Sequence, residues 1–150
     1  KAKERAKHMS SLYDGIQAVH RKDPHLVATG HSYGSTTMGN GLSGSTAPDE
    51  AIGVGSPGLG TNSSSKLNMF PGHVYIGSAP GDIVAGSSWF GDDPSLNPFF
   101  KHFNLGRWRG PGNHIYEGSS GHSEYMSPNK TSTYNIASIL VGKGMASPRS

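Results

Sequence analysis

The 150-residue chain contains no cysteine, which excludes both a disulfide framework and thiolate chemistry. The compartment stays open, because secreted proteins need not carry disulfides. No apolar run approaches the roughly 20 residues of a membrane span, and no signal peptide is visible. Net charge is only +3, and basic residues gather in one place, at Lys1, Lys3, Arg5 and Lys7, with His8 beside them. That spacing reads as the solvated face of a helix rather than the basic stripe of a nucleic-acid binder. The eight histidines include no His-x-x-x-His or His-Glu-x-x-His pair, so neither a metal site nor a cofactor is expected. A start methionine is lacking too. Lys1 lies inside what reads as a helix already under way, and the chain is expected to be N-terminally incomplete.

What is present is glycine, 22 of it, with 10 prolines. The hydrophobic fraction of 33% omits glycine; with glycine restored, the composition is that of an ordinary folded domain. Residues 3–20 read as an amphipathic helix, with Ala6, Met9, Leu12 or Tyr13, Ile16 and Val19 at helical spacing. Asp23-Pro24 stops it. Residues 25–29 read as a strand buried on both faces, as in a parallel sheet. A sharp turn at residues 30–34 leads into a helix over residues 35–42. Further strands are expected at residues 50–54 and 73–77, and a short fourth at residues 114–116. A short helix is expected at residues 64–68, an irregular aromatic stretch at residues 89–109 and a last helix at residues 132–141, burying Tyr134, Ile136, Ile139 and Leu140. Strands separated by helices imply an α/β fold with a mostly parallel sheet. One domain over residues 1–142 and a loose tail over residues 143–150 are expected.

Gly30-His31-Ser32-Tyr33-Gly34 matches the G-x-S-x-G nucleophile elbow. Chance alone supplies about half a match in a chain this rich in glycine and serine, so the context decides. This match follows an apolar strand and opens a helix, as an exposed nucleophilic Oγ requires. The glycines on either side are expected to let strand and helix approach each other. In such folds the partners follow in the order serine, acid, histidine. Asp82 lies just past the third strand, at the end where parallel sheets place their functional groups, although a turn aspartate after Pro80-Gly81 reads equally well there. Asp49 precedes its strand, and Asp92 and Asp93 lie deep in a loop. His122 sits in a polar, flexible loop before the last helix, where a general base is wanted. His102 and His114 are its competitors. His31 is expected to point away from the chemistry. The Tyr33 N–H is expected to donate to an oxyanion. Trp89, Phe90, Phe99, Phe100, Phe103 and Trp108 either pack a long loop onto the core or cap an acyl site, and packing is favoured.

Three segments in order, Thr29 to Ser35, Gly55 to Gly58 and Gly121 to Tyr125, together with Phe90 to Pro94 and Tyr134 to Ala137, make the chain resemble an actinobacterial α/β-hydrolase family of unknown function. The likeness runs from about Ser11 to Gly142. It implies an α/β-hydrolase core and a Ser32, Asp82, His122 triad, and it implies no particular substrate. Such a core usually has more strands before its nucleophile, including the loop that gives a second oxyanion donor. Their absence would leave an open sheet edge. The leading reading is an esterase or lipase-like serine hydrolase acting on a small-molecule or lipid ester. An amidase, peptidase or thioesterase with the same triad is one alternative, and a non-catalytic remnant is another.

Overall fold

The computed structural model describes residues 2–150. In chain order its elements are α1 (Ala2–Val19), β1 (Val27–His31), α2 (Tyr33–Leu42), β2 (Glu50–Val54), β3 (Val74–Gly77), β4 (Lys101–His102), β5 (Trp108–Arg109), β6 (Ile115–Tyr116) and α3 (Thr131–Leu140). Strands β1 to β4 form one sheet in the order β1-β2-β3-β4, and every pair is parallel. No helix among the described residues is long and apolar enough to cross a membrane.

Period-two alternation sends successive side chains to opposite layers. Ala51, Val74 and Ile76 join Tyr13, Met38 and Leu42 from α1 and α2. Ile52, Val54 and Tyr75 face Phe103, Ile136 and Ile139 on the other side. Strands β2 and β3 are therefore buried along their whole length, as central strands of a parallel sheet covered on both faces are. Phe103 alone, fully buried, contributes about 1.5–3 kcal/mol relative to an exposed ring.

Several expectations need correcting. Strand β1 starts and ends two residues later than expected and runs through His31 into the elbow. It is not buried on both faces, because it is the edge strand and Thr29 and His31 are exposed. In α1 the core-facing ring is Tyr13, while Leu12 and Val19 are exposed. Lys3, Arg5, Lys7 and His8 lie on the solvated side of that helix; Lys1 lies outside the described residues. Residues 64–68 form a hydrogen-bonded turn rather than a helix, stopped by Asn68 at φ 54°. The fourth parallel strand is β4, inside the stretch read as irregular. Residues 115–116 pair instead with β5, antiparallel, in a separate two-stranded sheet. Leu140 is exposed, so α3 buries Ile136 and Ile139 but not its last leucine. The C-terminal residues are docked, not loose. Ser147 is buried, its N–H donates to Asn135 Oδ1 at 2.8 Å, and Arg149 N–H donates to the His102 carbonyl at 2.9 Å.

Candidate active site

Parallel pairing brings the carboxyl ends of β1, β2 and β3 to one rim of the sheet, and each end carries one part of the site. Ser32 follows β1 directly. Its φ of 56° and ψ of −134° belong to a region that costs roughly 1–3 kcal/mol and persists only where the surroundings enforce it. Here they do: Ser32 N–H donates to the Val54 carbonyl at 3.0 Å, and Ser32 carbonyl accepts from Ser35 N–H at 3.0 Å. Tyr33 is the first residue of α2, where backbone N–H groups have no acceptor within the helix.

Asp82 lies in the turn after β3. Its Oδ1 accepts from the N–H groups of Val84 at 3.0 Å and Ala85 at 3.1 Å. The same carboxylate receives His122 Nδ1, 2.9 Å from Oδ1 and 3.0 Å from Oδ2. The turn role and the partner role are thus held together by one side chain, which is completely buried. Its competitors are engaged elsewhere: Asp49 with Leu26 N–H, Asp92 with Asn62 and Asp93 with Ser95 N–H. His102 Nε2 meets the Asn97 carbonyl, and His114 Nε2 meets Asn129.

His122 is presented by a loop that is tied on both sides, rather than the flexible one expected. Gly121 N–H donates to the Pro80 carbonyl at 3.0 Å, fastening the loop to the Asp82 turn. Glu124 accepts from Ser120 N–H and pairs with Lys130. Gly55, next after β2, is packed under the site: a Cβ there would lie 2.8 Å from Asp82 Oδ2 and 3.1 Å from His122 Cε1. The structure therefore brings Asp82 and His122 into contact next to the residue that follows Val54, whose carbonyl holds Ser32. Among the described residues no hydrogen bond joins Ser32 Oγ to His122, a contact often open until substrate binds.

Two further residues touch the site, His31 against expectation and Tyr125 without any expectation. His31 points at His122 rather than away from it. Its Nε2–H donates to the His122 carbonyl at 2.7 Å, and the two rings lie 4.7 Å apart at 34°. Strand alternation sets this contact by turning His31 to the exposed face of β1. Tyr125 is buried; its hydroxyl donates to Asp82 Oδ2 and accepts from Ala79 N–H at 2.9 Å. Its signal in the sequence was its place three residues after His122 in a segment already singled out.

The electrostatics follow. Burial raises the Asp82 carboxyl, but hydrogen bonds from Tyr125, His122 and the Ala85 N–H, with the His122 charge, together hold it below the ordinary carboxylate value. Burial is the largest cause pushing the Tyr125 phenol up, and its bond to Asp82 adds to this against the Ala79 N–H. Tyr125 therefore stays a donor. Tyr125→Phe is expected to cost about 1.5–3 kcal/mol, because a buried carboxylate and a buried N–H both lose a partner. Urea denaturation of the two proteins measures this directly.

A family model described as alpha/beta hydrolase matches residues 1–91. Uncharacterized proteins of Mycobacterium tuberculosis and Mycobacterium bovis are 30% identical over 94 residues, covering 60% of this chain and 35% of theirs. The chain thus aligns with about a third of the length of these curated relatives. No solved structure matches it. With most of the chain matched, and a parallel sheet whose rim carries the elbow, this chain belongs to the alpha/beta hydrolase family.

Proposed function

We propose that the chain is a serine hydrolase acting on carboxylic esters, with Ser32 as nucleophile, His122 as general base and Asp82 as the carboxylate that orients it. The observation that carries this reading is the hydrogen bond from His122 Nδ1 to the buried Asp82, at the rim where a serine is held in a strained turn. A carboxylate on Nδ1 fixes the tautomer whose Nε2 accepts a proton, and stabilises the imidazolium that forms. Ser32 Oγ attacks the ester carbonyl as its proton passes to His122, and the tetrahedral oxyanion is met by the Tyr33 N–H at the positive end of α2. Collapse expels the alcohol, which takes the proton from His122. Water, deprotonated by the same imidazole, then releases the carboxylic acid and restores Ser32.

Intact-mass measurement after incubation with a fluorophosphonate tests this. One adduct is expected on the parent, none on Ser32→Ala, and a much slower one on His122→Ala. A folded parent that takes up no label would sink the reading. Matched ester and anilide substrates then separate an esterase from an amidase or peptidase, since one triad geometry serves both.

A further inference from the structure

Trp89 and Phe90 lie against the elbow, and the Ser32 chemistry makes no use of them. The Trp89 and Tyr33 rings stack with centroids 6.2 Å apart, and Phe90 meets Tyr33 edge-on at 5.4 Å. All three stay open to solvent, Trp89 at 65%, Tyr33 at 48% and Phe90 at 41%. In the same segment Phe100 and Phe103 are buried at 3% and 0%. Those two rings meet the segment's need for anchors, so anchoring does not account for Trp89 and Phe90.

The backbone that carries Phe90 is nonetheless held in place. Phe90 N–H donates to the Pro57 carbonyl at 3.1 Å, and the Phe90 carbonyl accepts from Gly60 N–H at 3.0 Å. Gly58, at φ 134°, passes so close that a Cβ would sit 2.4 Å from the Phe90 oxygen. The same loop is fastened to the first turn of α2, where Thr36 Oγ1 donates to the Gly58 carbonyl and Ser35 Oγ bonds Ser56 Oγ, both at 2.6 Å. The segment Gly55 to Gly58, which the triad leaves almost unused beyond Gly55, therefore ties the aromatic loop to the nucleophile turn. A loop whose backbone is fixed in advance loses little further freedom on binding.

No charged side chain belongs to the strip, and Asp92 and Asp93 farther along the loop already have partners. The surface therefore suits a neutral apolar group. The cavity beside His122, lined by His31, Ser123, Tyr125 and Met126, holds only about 90 Å³, against roughly 300–1,000 Å³ for sites that enclose their ligands. A cavity of about 350 Å³ farther along the loop is lined by Asp92, Asp93, Leu96 and Phe99, and none of Ser32, Tyr33, Asp82 or His122 borders it. An acyl chain whose carbonyl meets Ser32 would thus lie along the open strip rather than inside a pocket.

Resting on the serine-hydrolase reading, we propose that the substrate is an ester of a medium- or long-chain acyl group. The chain would lie across Tyr33, Trp89 and Phe90 while its carbonyl meets Ser32. The test uses the full chain with p-nitrophenyl acetate, butyrate and octanoate below their aggregation thresholds, octanoate also above its own, and fluorophosphonate labelling of the same samples. The parent's kcat/KM is expected to rise at least about tenfold from acetate to octanoate, as burial of added methylenes requires. The octanoate-to-acetate ratio is expected to fall about tenfold in Trp89→Ala and in Phe90→Ala, with circular dichroism confirming that each variant folds. Labelled Ser32 with a flat parent series overturns the acyl proposal alone, and needs no variant. A ratio unchanged in both folded variants overturns it too, as does a rise seen only above the aggregation threshold, which would assign the strip to a lipid surface. Absence of label overturns the serine reading and this proposal with it.

Discussion

Asp82→Asn is expected to slow acylation of Ser32 by roughly 10⁴-fold, the loss that follows when a histidine base is left with the wrong tautomer. The side chain keeps its shape, and Asn Oδ1 can still accept from the Val84 and Ala85 N–H groups as Asp82 does. The other amide atom is the difficulty. Where Oδ2 now receives both His122 Nδ1 and the Tyr125 hydroxyl, an NH₂ group would face two donors. If it donates to Nδ1, the imidazole proton moves to Nε2, and the ring has no lone pair left to take the Ser32 proton. Fluorophosphonate labelling rates of parent and variant measure the effect; near-equal rates would remove Asp82 from the proposed machinery.

The same substitution carries a pH signature. The Asp82 carboxyl lies below its ordinary value in the folded chain. Its ionised form is therefore favoured by folding, and this contribution is fully present above the unfolded value of about 3.9. It is lost as pH falls through the lower folded value. The stability gap between parent and Asp82→Asn should be at its full size at neutral pH and close at strongly acid pH. Thermal melts at both pH values check this, and a gap of constant size would place its origin elsewhere.

Much of this arrangement is legible in the sequence where the cause is local. Strand β2 covers residues 50–54 as expected, because Ala51, Ile52 and Val54 form an apolar run bounded by turn residues and both its faces are buried. The elbow could be read because G-x-S-x-G is a statement about one turn. Asp82 and His122, which meet in the structure, could be singled out because each lies in a loop just past, or just before, a well-marked element. What escaped depends on distant partners. Strand β4 is two residues long, and its pairing with Tyr75 and Ile76 leaves no periodic trace around Lys101. Tyr125 looks like any loop tyrosine until the fold sets it between Ala79 and Asp82. The direction of His31 depends on which residue of β1 aligns with Val54, and the strand began two residues later than expected. The tail reads as loose because its anchors, Asn135 and His102, lie outside it.

The two glycines of the elbow, alike in the motif, are expected to differ sharply when substituted. A Cβ on Gly30 would lie 2.5 Å from Ser35 Cα and 2.7 Å from Ser35 N. Both are backbone atoms, and Ser35 is completely buried, so neither can yield without opening the turn between β1 and α2. Gly30→Ala is expected to cost at least the upper part of the roughly 1–3 kcal/mol range for overpacking, and to slow labelling of Ser32 by displacing its Oγ. A Cβ on Gly34 meets nothing within 4 Å, and its φ lies outside the left-handed region. The expectation that both glycines serve a close approach thus holds for the first alone. As Gly34 is the second residue of α2, alanine there is expected to be neutral or to stabilise by up to about 1 kcal/mol through helix propensity. Urea midpoints of the two variants, with labelling rates alongside, decide the matter. Equal losses would mean that α2 does not approach β1 as closely as the distances at Gly30 require, and the strained Ser32 turn would lose its explanation.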